Sequence, residues 1–162
     1  QGIALIPQKP EIFASTILEN ITLGVSYPDA LIQEALTISC FDETVNGLAN
    51  GLETRLGEDG MTLSGGQQQR LALARGLLAG IGKDIILADE PTSSLDAQTA
   101  RRVFKGLIAK FEDKTVICIV HDLHMLELFD TVFVFDEGKL VGVGSRTELL
   151  ETCPAFQVLC GV

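Results

Sequence analysis

One short segment of the chain carries residue types that could hold a phosphate group. Ser64 stands three residues before Gln67, the spacing of a helix capping box, and Gly65 and Gly66 lie between them. The helix that would follow has a buried stripe of apolar residues, namely Leu71, Ala74, Leu77 and Leu78. A cap does not require two consecutive glycines, but glycines let a phosphate approach bare backbone N–H groups at the positive end of a helix dipole. The segment therefore predicts either a well-capped helix or an anion-binding helix N-terminus.

An acid pair, Asp89 and Glu90, ends a short apolar run at residues 85–88. Continuous apolar runs of this length suit strands buried on both faces of a parallel sheet, and ligands collect at the carboxyl ends of such strands. Two adjacent acids can equally be a solvated strand end. His121 follows a second apolar run, residues 115–120, and is therefore expected at the same edge of the sheet.

The runs that carry these residues alternate with helical patterns, which predicts an α/β fold. Residues 97–111 have apolar side chains at helical spacing between the two runs, so they predict the helix of a βαβ crossover. A third apolar run, residues 131–135, also suits a parallel strand. The turn signal at residues 136–139 then predicts a C-terminal β-hairpin appended to the sheet. Residues 15–49 are expected to be mainly helical.

Composition and charge exclude several classes of protein. The chain has 162 residues, 46% of them hydrophobic, which is enough for one domain with a core. Its formal net charge of −10 argues against direct binding to DNA or RNA, and the adjacent Arg101 and Arg102 fit a solvated helix face. The cysteines indicate neither a zinc site nor a disulfide framework; they are Cys40, Cys118, Cys153 and Cys160. No apolar run has membrane-spanning length and no signal peptide is recognisable, so the chain is expected to be soluble and in a reducing compartment.

Longer matches connect both segments to one family. Residues 63–67 read Leu-Ser-Gly-Gly-Gln and resemble the complete signature motif of the ATP-binding cassette (ABC) ATPases, as do residues 68–75 that follow. Residues 85–96 resemble the Walker B motif and D-loop of the same family. The resemblance implies part of an α/β domain with a parallel-sheet core of the P-loop NTPase type and a C-terminal β-hairpin. It places the ABC helical subdomain at about residues 10–80 and the C-terminal part of the catalytic core at about residues 81–162.

The resemblance also assigns roles to individual residues. Those expected to bind ATP held by a second subunit are Ser64, Gly65, Gly66 and Gln67 of the signature motif and Asp96 of the D-loop. Asp89 is expected to hold Mg²⁺, because a hard carboxylate suits a hard cation. Glu90, which the turn after the strand re-aims, is the expected general base that orients and polarises the attacking water.

Two further residues match the family by their position. His121 matches the H-loop histidine, which contacts the γ-phosphate in the family. Gln8 resembles the Q-loop glutamine, which reaches Mg²⁺ and the attacking water while its loop touches the transmembrane partner. Residues 12–21, 53–60 and 144–150 resemble segments of exporter-type cassettes.

The family's phosphate cradle, a G-x-x-x-x-G-K-[ST] loop, is absent from the sequence. Residues 80–84 contain Gly-Lys, but Asp84 replaces the required Ser or Thr and Leu77 stands where the first Gly belongs, so they are not a substitute. The sequence starts at Gln1 rather than Met, in what reads as a strand already under way. It is therefore expected to begin inside a longer protein and to lack ATPase activity by itself.

Together these observations predict the ATPase motor of an exporter-type ABC transporter. The expected cofactors are ATP and Mg²⁺. The expected partners are a second ABC ATPase domain, in a homo- or heterodimer, and a transmembrane domain, fused or separate, at the cytoplasmic face of a membrane; no nucleic acid is expected. Two alternatives stay open, a soluble ABC ATPase of DNA repair or translation and a catalytically silent interaction module. The acidic charge argues against the first and the start at Gln1 against the second.

Overall fold

The computed structural model describes residues 2–57 and 61–161. They form two compact units, the first ending at Ile119 and the second beginning at Val120. Part of the exporter-like segment at residues 53–60 lies outside the described residues. The predicted boundary between helical subdomain and catalytic core near residue 80 stays a prediction.

The first unit is built on a parallel three-stranded sheet in the order β1–β2–β3. Its elements are β1 (Ile3–Ile6), α1 (Ile17–Thr22), α2 (Asp29–Ile38), α3 (Asp42–Asn46), a 3₁₀ turn (Gly51–Glu53), α4 (Gly65–Ala79), β2 (Ile85–Asp89), α5 (Ala97–Lys110) and β3 (Thr115–Ile119). Helix α5 joins the neighbouring parallel strands β2 and β3, so the predicted βαβ crossover is confirmed. The helical prediction for residues 15–49 is also confirmed, by α1, α2 and α3.

The helices of the first unit cover one face of its sheet. Alternate side chains of a strand point to opposite faces, and the buried ones, which join the core of the unit, are Ala4, Ile6, Ile86 and Ala88. The alternating side chains Ile3, Leu5, Ile117 and Ile119 are each more than half exposed. The expectation that these strands are buried on both faces is therefore wrong. The helices of the described residues pack their apolar stripes on one face only, and the other face lies open.

Helix α4 lies directly on the covered face of this sheet. Its predicted apolar stripe is buried, at Leu71, Ala74, Leu77 and Leu78. The helix comes so close to β1 that a Cβ on Gly76 would stand 2.3 Å from Cγ1 of Ile6. A Cβ on Gly80, just after the helix, would stand 2.6 Å from the ring of Phe111. Two positions without side chains thus set how closely α4 approaches the sheet.

Hydrogen bonds and an ion pair fix the smaller helices of the first unit. Thr16 caps α1 and forms a capping box with Glu19, whose carboxylate accepts from the Thr16 N–H. Lys110 at the end of α5 pairs with Glu34 of α2. The capping box stabilises the start of α1, and the ion pair joins α5 to α2. All four helices, α1, α2, α4 and α5, contribute residues to one core.

The second unit contains the predicted hairpin. Its elements are a 3₁₀ helix (Leu123–Leu128), β4 (Val132–Asp136), β5 (Lys139–Gly144), α6 (Arg146–Thr152) and α7 (Pro154–Cys160). Glu137 and Gly138 turn the chain with φ of 45° and 76°, both in the left-handed region, as in the I′ turns that match the strand twist. The run at residues 131–135 pairs antiparallel with β5, as the predicted hairpin requires. The two strands form a sheet of their own, so the assignment of this run to the parallel sheet, with the hairpin appended to it, is wrong. The two-residue turn leaves no room for the crossover that a parallel partner requires.

The cysteines are free thiols. Burial raises the pKa of the Cys118 thiol on β3 to about 12. It also raises the pKa of Cys40 above its ordinary value. Within residues 2–57 and 61–161, no helix has the length and apolar character needed to cross a membrane.

Replacing Gly76 by alanine should lower the free energy of unfolding by about 1–3 kcal/mol, as overpacking of a core usually does. The added methyl group would collide with Ile6, which is itself fully buried. The measurement is chemical denaturation of the wild type and the variant. Gly65→Ala is the matched control on the same helix, since nothing lies within 4 Å of its added methyl group. Equal destabilisation by both changes would contradict the close packing of α4 on β1.

Candidate functional site

The N-terminus of α4 forms the predicted capping box. The Gln67 N–H donates to Oγ of Ser64 at 3.3 Å, and the Ser64 N–H donates to Oε1 of Gln67 at 2.9 Å. The box uses these two amides, which leaves the first helical amides, those of Gly65 and Gly66, for a ligand. The predicted capped helix is thus confirmed, and its N-terminus has the donors that an anion requires.

The two glycines at this terminus have different surroundings. Nothing lies within 4 Å of a Cβ built on Gly65, so a ligand has room to approach there. A Cβ on Gly66 would stand 3.1 Å from the carbonyl oxygen of Ser94 and 3.7 Å from Cδ2 of Leu95. A side chain at Gly66 would therefore be crowded by the backbone of Ser94.

The predicted acids lie at the carboxyl edge of the sheet. Asp89 is the last residue of β2, beside Ile119 of β3, and is partly exposed. Gln8 is exposed and follows β1 by two residues, and the end of β1 pairs with the end of β2. Because the strands are parallel, Gln8, Asp89 and Glu90 all follow strand ends at one edge, as the sequence predicts.

Glu90 has an unusual backbone conformation. Its φ is +44°, in the left-handed region, which costs a residue with a side chain roughly 1–2 kcal/mol. Its N–H donates to the carbonyl oxygen of Ile119 at 3.1 Å. The turn that was expected to re-aim this side chain after the strand is therefore present, and strain of this kind is found at functional sites.

A residue that sequence reasoning missed holds the segment after Glu90 in place. Gln69 of α4 donates from Nε2 to the carbonyl oxygen of Glu90 at 3.0 Å and to Oγ of Ser93 at 3.1 Å. Its Oε1 accepts from the Ser94 N–H at 2.7 Å. Its position could have indicated this role, because Gln69 is a polar residue one turn before Leu73, on the buried face of a helix. Buried polar side chains are kept where they have hydrogen-bond partners.

Asp96 is the N-cap of α5. Its Oδ1 accepts from the Thr99 N–H at 3.0 Å. Hydrogen bonds from the side chain and backbone of Thr99 lower the pKa of Asp96, because they favour its charged form. Asp96 is exposed and stands two residues after Ser94, which contacts Gly66. The signature motif and the D-loop thus meet on one surface of the first unit.

The segment after Gln8 is anchored to α4 by Arg75. The guanidinium donates to the carbonyl oxygen of Asn20 at 2.7 Å and to that of Glu11 at 3.0 Å, and it lies over the Phe13 ring. Asn20 is fully buried and bonds both backbone groups of Phe13. Burial lowers the pKa of Arg75, with the charge of Glu11 opposing that shift. The loop after β1 is therefore fixed by the same helix that carries the signature motif.

The remaining candidates lie away from this edge or in the other unit. His121 is exposed and belongs to the second unit, so its approach to the acids stays a prediction. The Gly-Lys at Gly82 and Lys83 lies in the turn before β2, at the opposite end of that strand from Asp89. The sequence-based exclusion of this turn as a phosphate cradle agrees with its position.

Comparison with known proteins decides the family. The sequence model of the family described as ABC transporter matches residues 1–93. The chain belongs to the ABC transporter family. The chain is 40% identical over 154 residues to the glutathione/L-cysteine transport system ATP-binding/permease protein CydC of Bacillus subtilis, covering 93% of the chain and 26% of that protein.

Other ABC transporters agree with this assignment. The chain is 38% identical over 150 residues to an ATP-dependent lipid A-core flippase of Aromatoleum aromaticum, covering 91% of the chain and 25% of the flippase. A solved bacterial Atm1-family ABC exporter with ATP bound superposes with a TM-score of 0.89 at 31% identity, covering 98% of the chain and 28% of the exporter. The chain thus spans about a quarter of the length of these relatives.

These findings confirm the predicted recognition and fold class. The chain is a segment of an ABC transporter, and its α/β fold is similar to that of the matching part of the solved ABC exporter. ATP hydrolysis is the general activity of ABC transporter ATPases, nucleotide binding is implied by the domain, and Mg²⁺ is typical of it. The roles of the individual site residues stay predictions.

Asp96→Ala should lower the melting temperature, because α5 loses its N-cap, whereas Asp96→Asn should keep most of the stability, because asparagine also caps helices well. The pKa of Asp96 is lowered by folding, so its stabilisation is fully present above the ordinary value of 3.8 and is lost as the pH falls through the lower folded value. Thermal unfolding of the three proteins across this pH range measures the effect. The charged cap would be contradicted if the stability lost in Asp96→Ala stayed constant down to pH values well below the ordinary pKa of Asp96.

Proposed function

We propose that this chain is part of the motor of a membrane exporter, which couples ATP hydrolysis to transport. The observation that carries the proposal is the connection between two sites of the first unit. The N-terminus of α4, at Gly66, packs against the segment that follows the acid pair at Ser94 and Leu95. One loop thus links an anion-binding helix terminus to the carboxyl edge of the sheet.

The signature motif and the D-loop would serve a second ATPase domain. The residues proposed to contact ATP held by that domain are Ser64, Gly65, Gly66, Gln67 and Asp96. This assignment is supported by the open space at Gly65 and by the exposure of Ser64 and Asp96. In this arrangement the two amides at the start of α4 would donate to phosphate oxygens of the partner's nucleotide.

The carboxyl edge of the sheet has a donor set that fits Mg²⁺. Asp89 offers a carboxylate and Gln8 an amide oxygen, both hard ligands. Within the described ranges, no group of three His, Cys, Asp or Glu residues is positioned to hold a metal. Few protein ligands are usual for Mg²⁺, which keeps waters and phosphate oxygens as its other ligands. When bound, Mg²⁺ supplies charge neutralisation at the phosphate oxygens.

Glu90 is the proposed general base. Its carboxylate would accept a hydrogen bond from the attacking water and hold it in line with the γ-phosphate. The fixed backbone around Glu90, bonded at both its N–H and its carbonyl oxygen, supports this role. Gln8 would orient the same water, and His121 would contact the γ-phosphate. Both roles come from the resemblance to the ABC family.

A transmembrane domain, fused or separate, is the proposed second partner. CydC of Bacillus subtilis is named an ATP-binding/permease protein. Gln8 and Phe13 are exposed on the loop that Arg75 anchors, so this loop could receive a contact and pass it to α4. The chain would then work at the cytoplasmic face of a membrane. We also propose the division into a helical subdomain near residues 10–80 and a catalytic part near residues 81–162.

Glu90→Gln in the complete transporter should keep ATP binding and dimerisation but slow hydrolysis by about 100-fold or more, since general bases contribute on that scale. The amide cannot take a proton from water, while its size leaves the backbone unchanged. Equilibrium ATP binding, size-exclusion chromatography and phosphate release measure the three properties. Glu112→Gln, at an exposed acid after α5, is the matched control with wild-type rate. Near-normal turnover by Glu90→Gln would remove Glu90 from this role.

The 162-residue chain by itself should not hydrolyse Mg-ATP. It lacks the G-x-x-x-x-G-K-[ST] loop, whose amides and lysine stabilise the β- and γ-phosphates during phosphoryl transfer. Phosphate release by the purified chain is the measurement, with the Glu90→Gln chain as the control for contaminating ATPases. Turnover by the wild-type chain that Glu90→Gln abolishes would refute the prediction.

A further inference from the structure

The side chain of Gln69 spans the segment that follows the acid pair. It is 4% exposed and lies in the second turn of α4. Its amide bonds the carbonyl oxygen of Glu90 at one end of the segment and the Ser94 N–H at the other, at 3.0 and 2.7 Å. A third bond, 3.1 Å long, reaches Oγ of Ser93. One side chain therefore fixes both ends of residues 90–94.

The chemistry of the partners fixes which way this amide points. A carbonyl oxygen only accepts, so the atom of Gln69 that faces Glu90 must be the donor Nε2. A backbone N–H only donates, so the atom that faces Ser94 must be the acceptor Oε1. Both N–H groups of Gln69 then have partners. Neither a carboxylate nor an apolar side chain of the same length can make this set of bonds.

These bonds hold Glu90 in its left-handed conformation. The Glu90 N–H is bonded to Ile119 of β3, and its carbonyl oxygen is bonded to Gln69 of α4 and to the Ser93 N–H. A conformation that is intrinsically unfavourable persists only where the surroundings determine it. With both flanking peptide groups fixed, the direction of the Glu90 Cα–Cβ bond is fixed as well.

The same segment touches α4 at a second point. The carbonyl oxygen of Ser94 packs against Gly66, which is the second helical residue of the signature motif. Gln69 lies less than one turn further along the helix. The signature helix and residues 90–94 are therefore joined by a buried polar contact and by a close backbone contact.

We propose that Gln69 is a positioning residue for hydrolysis, which sets the direction of the Glu90 carboxylate from the signature helix. The inference rests on the proposed role of Glu90 as general base. In this role Gln69 would act through Glu90, by its bond to the Glu90 carbonyl oxygen. Its effect is to keep the carboxylate within the narrow range of positions that proton transfer and water alignment require.

Gln69→Leu in the complete transporter tests this role. The kcat for ATP should fall by about tenfold or more, since misplacement of a catalytic group by about 1 Å costs up to 100-fold. The KM for ATP should stay within about twofold, because Gln69 does not contact the proposed nucleotide ligands. Amide hydrogen exchange of a peptide covering residues 90–95 should become faster, since the Ser94 N–H loses its acceptor.

A second variant separates the two ends of the contact. Gln69→Glu keeps an acceptor for the Ser94 N–H but places an oxygen against the carbonyl oxygen of Glu90. It should be as impaired in kcat as Gln69→Leu, although it retains one of the bonds. The matched control is Gln157→Leu, which removes a 2.8 Å glutamine bond to the Leu150 carbonyl oxygen in the second unit. This control should leave kcat unchanged.

Several outcomes would overturn the proposal. Wild-type kcat in Gln69→Glu would show that the bond to Glu90 is dispensable. Faster exchange of residues 90–95 without loss of kcat would show that the segment need not be held. Two further outcomes would assign Gln69 to folding alone. One is a loss of kcat in Gln157→Leu equal to that in the Gln69 variants. The other is failure of both Gln69 variants to give folded protein while Gln157→Leu folds normally. Normal turnover by Glu90→Gln would instead refute the proposed general base, whatever the Gln69 variants do.

Discussion

The arrangement of the first unit depends on the contact of α4 with the sheet and with the loops at its carboxyl edge. The helix approaches β1 closely because Gly76 has no side chain. From that position its N-terminus reaches residues 94–95, Gln69 reaches the Glu90 peptide, and Arg75 reaches the loop that follows β1. A shift of α4 would therefore move three parts together: the signature motif, residues 90–94 and the loop after β1.

Buried polar groups make these connections specific. Apolar packing would tolerate small sliding of α4, since it is non-directional. Gln69, Asn20 and the partly buried Arg75 each bond backbone groups of a loop. Leaving the buried amides of Gln69 and Asn20 without partners would cost about 1–3 kcal/mol each. The loops at the carboxyl edge are thus held by hydrogen bonds from side chains of helices.

In the described part of the chain, the sheet of the first unit is covered by helices on one face only. Ile3, Leu5, Ile117 and Ile119 are exposed on the face that the described helices leave open. The chain covers about a quarter of the length of these relatives. The site described here accordingly contains the acids and the signature motif but no glycine-rich lysine loop.

The sequence by itself determined the family, the capped start of α4, the βαβ crossover and the hairpin. Each of these depends on neighbours in the chain, through the Ser64–Gln67 box, helical and strand periodicity, and the turn at Glu137 and Gly138. The open sheet face and the separation of residues 131–135 from the parallel sheet were not predicted, because apolar runs alone do not show which element covers them or which strand they pair with.

Only the tertiary structure decided the hydrogen bonds of Gln69 and the crowding of Gly66. The bond from Gln69 to Glu90 joins residues 21 apart in the chain, and the bond to Ser94 joins residues 25 apart. Such contacts exist only after α4 has packed on the sheet, so no local pattern encodes them. The sequence showed which residues could do chemistry, and the packing of one helix decided how they are held.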